Sequence, residues 1–248
     1  MTRLASLLEV RNFVSFDRLL LNGEQTFPDL TFGIEAFDSI LTLNFGQFAV
    51  FQGNPSHALC MLLCVRAMLP QPLGPNCDVI FVDGGNNFDP YSISDNSVEQ
   101  RLDPEEVLEH IHISRAFTHH QLASIIIDKL PHAIEEFKAK LIVVSDITGL
   151  YCDPDVRDDD KDDSLLIFSK TVHTLRMLAR QYQCLIIATN LERRNFQMEC
   201  SLEYFTHVSV QIEQKFSLTR LTLLKHTHLQ PRAAIAAIPD VRMLESFL

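Results

Sequence analysis

The sequence predicts an α/β protein in which a mostly parallel, twisted sheet carries helices on both faces. Short apolar runs alternate with longer segments of helical periodicity, which is typical of parallel strands joined by crossover helices. The chain has 248 residues, and 46% of them are hydrophobic, which is enough to bury the core of one large domain. Its formal net charge of −11 disfavours a general nucleic-acid coat, because phosphate binding depends on clustered Lys and Arg.

The apolar runs predict seven strands and three helices. The predicted strands are 45–53, 78–85, 111–117, 140–147, 184–190, 206–214 and 218–226. The predicted helices are 57–69, 119–137 and 165–182. Pro131 is expected to kink or divide the second helix, because proline removes a backbone donor and clashes with the preceding turn. The last two strands follow each other without a helix between them, so this edge of the sheet is expected to be antiparallel.

Six cysteines and ten histidines raise the question of disulfides and metals. The one close cysteine pair, Cys60 and Cys64, lies four residues apart in an apolar run, a pattern typical of small core residues. Neither a CxxC pair nor HExxH spacing is present, so we expect no metal site. No apolar run approaches the roughly 20 residues of a membrane span. The N-terminus also lacks a secretory signal pattern, which predicts a cytoplasmic protein.

The segment 152–163 carries seven aspartates against one Arg and one Lys. Such a run repels itself and is expected to form a solvated loop. A calcium site is the alternative interpretation. The order of ligands does not match an EF-hand, however, and neither the glycine nor the terminal glutamate of that motif follows.

A predicted strand, a tight loop and a helix N-terminus follow each other where a phosphate-binding loop would lie. The loop consists of Gly53, Asn54, Pro55, Ser56, His57, Ala58, Leu59 and Cys60. In the GxxxxGK[ST] pattern, the lysine reaches the phosphates and the hydroxyl holds magnesium. Leu59 and Cys60 occupy these two positions here, and Ala58 replaces the second glycine. Leucine cannot neutralise phosphate charge and a thiol is a poor magnesium ligand, so the loop alone does not qualify as a P-loop.

Six segments in the correct order resemble the RecA/RadA recombinase superfamily. They are FGIEAFDSIL (32–41), VIFVDGGNNFDP (79–90), VLEHIHISRAFTHHQL (107–122), KLIVVSDITGLY (140–151), LARQYQCLIIATN (178–190) and RLTLLKHTHLQPRAAI (220–235). The chain thus resembles a RadA-like paralogue with degenerate Walker A and Walker B motifs. The resemblance implies a RecA-like P-loop NTPase core at 31–248, preceded by an N-terminal extension at 1–30.

The resemblance also indicates where nucleotide chemistry would lie. The superfamily's catalytic glutamate follows the strand that ends here at Asp83, and two glycines stand in its place. Ser145 and Asp146 reverse the order of the magnesium-orienting pair, and leucine follows Asn190 where the superfamily has a glutamine sensor. ATP hydrolysis requires phosphate neutralisation, a positioned metal and a group that orients water. The resemblance therefore implies a pocket that no longer turns over ATP.

Three functions remain open at this point. The first is a non-catalytic paralogue without a cofactor, acting as an accessory or scaffold protein in DNA recombination and repair. It would work through contacts with another RecA/RadA-family protein or a second copy of itself. The second is a nucleotide-binding ATPase that uses ATP and magnesium with a non-standard loop, in which His57 supplies the missing charge. The third is a regulatory RecA-like signalling module without a DNA role.

Single-stranded DNA is a weaker candidate partner. In RecA-like recombinases two loops line the filament axis, and the aspartate run occupies the position of the first loop. The position of the second carries Arg193, Arg194 and Phe196, which could hold a single strand by charge and stacking. A solvated loop that faces a protein partner explains these three residues equally well.

Overall fold

The computed structural model describes residues 29–53, 55–152, 161–191 and 195–237. The strands are β1 Phe48–Gln52, β2 Val79–Asp83, β3 Ile111–Arg115, β4 Leu141–Ser145, β5 Leu185–Asn190, β6 Val208–Lys215, β7 Leu218–Lys225 and β8 Arg232–Ala237. The helices are α1 Glu35–Asp38, α2 Ser56–Ala67, α3 Pro90–Glu99, α4 Pro104–Glu109, α5 His119–Ser124, α6 Leu130–Phe137, α7 Lys161–Tyr182 and α8 Phe196–Phe205. All seven predicted strands are present, whereas β8 was not predicted as a strand.

The eight strands form one sheet in the order β3-β2-β4-β5-β1-β6-β7-β8. All pairs from β3 to β6 are parallel. The pairs β6–β7 and β7–β8 are antiparallel, so the expected antiparallel edge is confirmed. Parallel strands all end on the same side of the sheet, and crevices beyond these carboxyl ends are where ligands of open α/β sheets bind.

The central strands are buried on both faces, which explains their continuous apolar sequences. Ala49 and Phe51 of β1 face one core, which contains apolar residues of α1, α2, α3 and α4. Phe48 and Val50 face the other core, which contains apolar residues of α5, α6, α7 and α8. The predicted α/β class, with helices on both faces of a mostly parallel sheet, is confirmed.

The predicted helix 119–137 is divided into three parts. Between α5 and α6 lies one π-helical turn, Ile125–Lys129. Pro131 lies in the first turn of α6, where a missing backbone donor is tolerated best. The expected interruption at this proline is therefore confirmed.

Two of the helices that were not predicted, α3 and α4, both begin at an Asp-Pro dipeptide. The side chains of Asp89 and Asp103 accept hydrogen bonds from the backbone N–H groups of Tyr91 (3.1 Å) and Glu105 (2.9 Å). Aspartate at the N-cap followed by proline at the first helical position is a recognised helix start. The helices are short, with ten and six residues, so their apolar periodicity is too brief to identify them.

The start of the described chain packs into the core. Leu30 is buried and its backbone pairs with Leu43. The Arg66 guanidinium of α2 donates a 2.6 Å hydrogen bond from Nε to the carbonyl oxygen of Thr31. The predicted N-terminal extension is otherwise outside the described residues, and its boundary stays a prediction.

The imidazole of His207 joins the start of β6 to β1. The backbone N–H of Phe48 donates to Nδ1 of His207 at 2.9 Å, so the ring accepts this bond only when Nδ1 is unprotonated. Burial lowers the pKa of His207 below its ordinary value, and the nearby charges of Arg176, Arg180 and Lys225 lower it further. The folded state thus disfavours the protonated ring.

This bond makes stability depend on pH. The contribution of His207 is complete above its ordinary pKa of about 6.5 and is lost as pH falls below that value. Asparagine offers its amide oxygen as an acceptor near the position of Nδ1, and this group does not titrate between pH 7.5 and 5.5. We expect His207→Asn to lower the free energy of unfolding by about 1 kcal/mol at pH 7.5. When the pH falls from 7.5 to 5.5, the variant should lose less stability than the protein with His207. Urea unfolding at both pH values measures this difference, and equal losses in the two proteins would contradict it.

Candidate functional site

The predicted site residues come together at the carboxyl ends of four adjacent strands. Gly53 follows β1, Asn190 ends β5, Ser145 ends β4 and Asp83 ends β2. The register places Gln52 beside Asn190 and Asp83 beside Ser145. Asn54 of the predicted phosphate loop lies outside the described residues.

Gly53 turns the chain from β1 towards α2. Its φ angle is +102°, in the region that favours glycine over residues with a side chain. Its N–H donates to the carbonyl oxygen of Asn190 at 2.9 Å, and its own carbonyl accepts from the N–H of Ser56 at 3.0 Å. A Cβ atom at this position would overlap the backbone carbonyl oxygen of Ile212 in β6. The packing of β6 therefore requires a glycine here, whatever the loop binds.

The first turn of α2 places the lysine and hydroxyl positions of the predicted loop inside the protein. Leu59 and Cys60 are both buried in the core that lines this face of the sheet. Burial raises the pKa of the Cys60 thiol well above its ordinary value, so the thiol stays protonated. His57 is half-buried and Ala58 is exposed. Neither Leu59 nor Cys60 offers a charge or a metal ligand at this helix start.

Asp83 connects the loop after β2 to the neighbouring strand β3. Its side chain is fully buried, and its carboxylate accepts N–H bonds from Asn87 (2.8 Å) and Phe88 (3.3 Å). The guanidinium of Arg115 forms an ion pair with the same carboxylate, with 3.2 Å between Nη2 and Oδ2. The Gln121 side chain orders the turn after β3, since its Oε1 accepts from the N–H of Phe117 at 2.9 Å.

Residues at the ends of β4 and β5 also form hydrogen bonds with the adjacent loops. Asn87 Nδ2 donates to the Ser145 hydroxyl at 3.0 Å. The Thr148 hydroxyl donates to Asn190 Oδ1 at 2.7 Å. The backbone of Asp146, with φ at +44°, donates its N–H to Thr189 Oγ1 at 2.9 Å. These polar groups thus hold the loops of the site to one another.

A cleft of about 410 Å³ lies beside these loops. Its described lining residues are His57, Asn86, Asn87, Phe88, Asp89, Pro90, Tyr91 and Leu191. His57 is the one side chain among them that can carry positive charge. Residues 192–194, which follow Leu191, are outside the described residues.

Sequence reasoning named His57 as a residue of this site but did not identify Asp89 and Tyr91 as lining residues of the cleft. Asp89 caps α3, and Tyr91 is strongly exposed in the first turn of that helix. The Asp-Pro helix start directly after a predicted strand was the signal that could have placed them at the carboxyl edge of the sheet.

The predicted DNA-contact residues are only partly described. Phe196 is the first residue of α8 and is strongly exposed. Asn195 caps this helix by accepting N–H bonds from Gln197 (2.9 Å) and Met198 (3.2 Å). Arg193, Arg194 and residues 153–160 of the aspartate run lie outside the described residues, so contact with single-stranded DNA stays a prediction.

No group of three or more His, Cys, Asp or Glu side chains in the described ranges is arranged to hold a metal ion. Among the helices described, none is both long enough and apolar enough to cross a membrane. All six cysteines are described, and none of them forms a disulfide bond.

The sheet order, the parallel centre and the strand–loop–helix unit at Gly53 define a RecA-like α/β core. The family model described as Rad51 matches residues 21–246, and the chain therefore belongs to the Rad51 family.

Two curated relatives carry the description "DNA repair and recombination protein RadA". The protein from Cenarchaeum symbiosum is 25% identical over 177 residues, which cover 67% of this chain and 43% of the relative. The protein from Aeropyrum pernix is 28% identical over 160 residues, which cover 64% of this chain and 48% of the relative. The chain thus matches about half of the length of each of these relatives.

Proposed function

We propose that this protein is a non-catalytic Rad51-family paralogue that acts in the cytoplasm as an accessory or scaffold protein in DNA recombination and repair. It works through contacts with another member of its family or with a second copy of itself. The observation that carries the proposal is the burial of Leu59 and Cys60 where a nucleotide-binding relative would place a lysine and a hydroxyl.

The electrostatics of the cleft support the absence of ATP turnover. A triphosphate with magnesium needs cationic side chains and hard oxygen ligands. Among the described lining residues only the His57 imidazole can become positive. Asp83 is engaged by Arg115 and by two backbone N–H groups. This scarcity of cationic side chains among the described lining residues supports a pocket that does not turn over ATP.

An exposed sheet edge supports the role of protein contacts. Within the described chain β3 pairs with β2 alone, so its outer edge carries backbone groups that can pair with another strand. Ile113 of this strand and Phe117 just after it are exposed apolar side chains. Natural proteins usually protect such edges with charges or a covering segment, so this edge is a suitable surface for a protein partner.

Calorimetric titration with ATP and magnesium up to millimolar nucleotide tests the proposal. We expect no binding heat and, at 1 mM ATP, a stabilisation below about 0.5 kcal/mol, which corresponds to a dissociation constant weaker than about 1 mM. Thermal unfolding with and without nucleotide measures the stabilisation independently. Saturable heat together with a raised melting temperature would show that the pocket still binds nucleotide, and release of inorganic phosphate from ATP in the same sample would overturn the non-catalytic assignment.

The second candidate is a nucleotide-binding ATPase with a non-standard loop. It is favoured by the position of His57, which stands in the first turn of α2 and lines the cleft. Helix N-termini attract anions, and a protonated imidazole would add charge. Under this candidate His57→Ala weakens ATP binding at least about tenfold, the loss that 1.4 kcal/mol represents. Unchanged binding in this variant would exclude the role of His57.

A further inference from the structure

Helix α8 turns one row of side chains away from the protein. Its buried residues, Met198 and Leu202, pack into the core that α7 also covers. The side of α8 opposite this core is the α8 surface. Its exposed residues are Phe196, Gln197, Cys200, Glu203 and Tyr204.

The middle of the α8 surface is a continuous row of aromatic and thiol side chains. Phe196, Cys200 and Tyr204 are spaced four residues apart, so they follow one another along one side of the helix. Phe196 is 82% exposed and Tyr204 is 73% exposed. The ring of Phe205 packs edge-on against the Tyr204 ring, with 5.0 Å between their centroids. Two exposed aromatic rings on one short helix indicate a surface that contacts another protein.

The residue types on the α8 surface are symmetric about Cys200. The aromatic residues Phe196 and Tyr204 lie four positions before and after it. Gln197 and Glu203 lie three positions before and after it. In two antiparallel helices related by a two-fold axis beside Cys200, Phe196 therefore lies at the height of Tyr204 of the second copy. Gln197 lies at the height of Glu203 of the second copy. The first pair is an aromatic contact and the second is an amide–carboxylate hydrogen bond, so both favour association.

Helix α7 lies beside α8 and runs in the same direction. The hydroxyl oxygens of Ser169 and Ser201 are 3.3 Å apart, and the ring centroids of His173 and Phe205 are 5.4 Å apart. Both contacts join positions that differ by 32. The two-fold axis that passes the central cysteine of α8 therefore passes α7 at position 168. Both helices cover the same face of the sheet, so their exposed sides point in the same direction.

The exposed residues in the first half of α7 are symmetric about this same axis. Leu166 and Lys170 lie two positions before and after 168, and both are exposed. Asp163 and His173 lie five positions before and after it and are also exposed. Asp163 then faces His173 of the second copy, which places a carboxylate opposite an imidazole N–H group. Leu166, which is 70% exposed, faces the aliphatic stem of Lys170 of the second copy. This self-complementary pattern favours a second copy over an unrelated partner.

We propose that two copies of this protein associate as an antiparallel pair through α8 and the first half of α7, with a two-fold axis beside Cys200. The inference rests on the proposed function for the choice of a second copy as partner. It adds the contact surface, which differs from the β3 edge. Nine exposed side chains of each copy take part, whereas a stable interface of standard size uses about 20–30 residues a side. The dimer is therefore expected to be weak and to depend on protein concentration.

The position of the axis can be tested with the cysteine beside it. Packed helices have axes about 8–10 Å apart, and their Cα atoms lie about 2.3 Å from each axis. The two Cys200 Cα atoms would thus be about 3.5–5.5 Å apart, which overlaps the range of disulfides, about 4.4–6.8 Å. We expect the oxidant copper–phenanthroline to join two chains through Cys200, as measured by denaturing electrophoresis and mass spectrometry.

A thiol moved along the helix is the matched control. The variant combines Cys200→Ser with Gln197→Cys. Its two new thiols belong to Cα atoms about 9 Å apart along the helix, because each copy contributes about 4.5 Å. This separation exceeds the roughly 7 Å limit for a disulfide, so the yield of joined chains should fall at least about tenfold. Equal yields at the two positions would overturn the axis at Cys200.

Sedimentation equilibrium without oxidant measures the association itself. Phe196→Ala removes an aromatic contact from both halves of the interface, so we expect the dissociation constant of the dimer to rise at least about tenfold. Phe117→Ala removes a ring that is 71% exposed at the β3 edge and should change the constant by less than about twofold. Both side chains are exposed, so both variants should keep the fold, as measured by circular dichroism.

The outcomes separate this inference from the proposed function. A dimer that is lost in Phe117→Ala but kept in Phe196→Ala would overturn the α8 interface and leave the β3 edge as the contact between copies. A protein that stays monomeric at all concentrations would also overturn the α8 interface. Neither result bears on ATP turnover or on contact with another family member, which the nucleotide titration and a separate binding partner would test.

Discussion

Gly53→Ala is expected to lower the free energy of unfolding by about 3 kcal/mol, a value composed of backbone strain and overpacking. At a φ of +102° an alanine is strained by its own Cβ. That Cβ would also overlap the carbonyl oxygen of Ile212. The backbone cannot easily yield, because Gln52 and Gln211 on either side of the contact are paired in the parallel β1–β6 ladder. Urea unfolding followed by circular dichroism measures the loss.

Gly46→Ala is the matched control. Gly46 also has a positive φ, +85°, but the nearest atom to an added Cβ is the end of the Gln183 side chain, Oε1 at 3.2 Å. A flexible side chain can move aside, so this variant should lose only the backbone strain of about 1–2 kcal/mol. Equal losses at Gly53 and Gly46 would show that contact with β6 contributes nothing. A larger loss at Gly53 means that the glycine has a structural role even where no phosphate binds.

The second large effect concerns the buried carboxylate at the end of β2. Asp83→Asn is expected to lower the free energy of unfolding by about 3 kcal/mol, because the fully buried carboxylate accepts two backbone N–H bonds in addition to its contact with Arg115. The amide can accept fewer hydrogen bonds, so the Phe88 N–H or Arg115 loses its acceptor. The loop that lines the cleft should open first. Amide exchange at Asn87 and Phe88 is therefore expected to accelerate more than exchange in the core strands.

Asp78→Asn provides the comparison at the other end of the same strand. Asp78 contacts His112 at 2.9 Å, but the two side chains are 28% and 26% exposed. A solvated pair of this kind contributes less than about 1 kcal/mol. If Asp83→Asn cost no more than Asp78→Asn, the proposed dependence of the cleft on Asp83 would be wrong.

Local patterns in the sequence were sufficient for most of the fold. Apolar runs identified seven strands because a strand buried on both faces leaves a continuous apolar signal. They did not identify β8, since its sequence RAAIAA is weakly apolar and its pairing partner, β7, supplies the register. Helices α3 and α4 were not predicted for a related reason. Their boundaries depend on single capping aspartates rather than on a long apolar stripe.

The sequence predicted where in the fold the candidate residues lie, but it did not predict the contacts that they make. Residues at the ends of parallel strands must lie at one edge of a sheet, so the grouping of Gly53, Asp83, Ser145 and Asn190 followed from topology. The hydrogen-bond and ion-pair partners of these residues did not follow from the topology. The ion pair of Asp83 with Arg115 joins positions 32 residues apart, and the distance between such positions is set by the order of the strands.

The sequence by itself determined the α/β class, the antiparallel end of the sheet and the position of the loop at Gly53, because these depend on periodicity and on neighbouring residues. Only the tertiary structure decided that β6 requires a glycine at position 53 and that Arg115 forms an ion pair with Asp83. Each of these depends on segments far apart in the chain meeting at one edge of the sheet. Such contacts arise from packing in three dimensions, and no local pattern of residues encodes them.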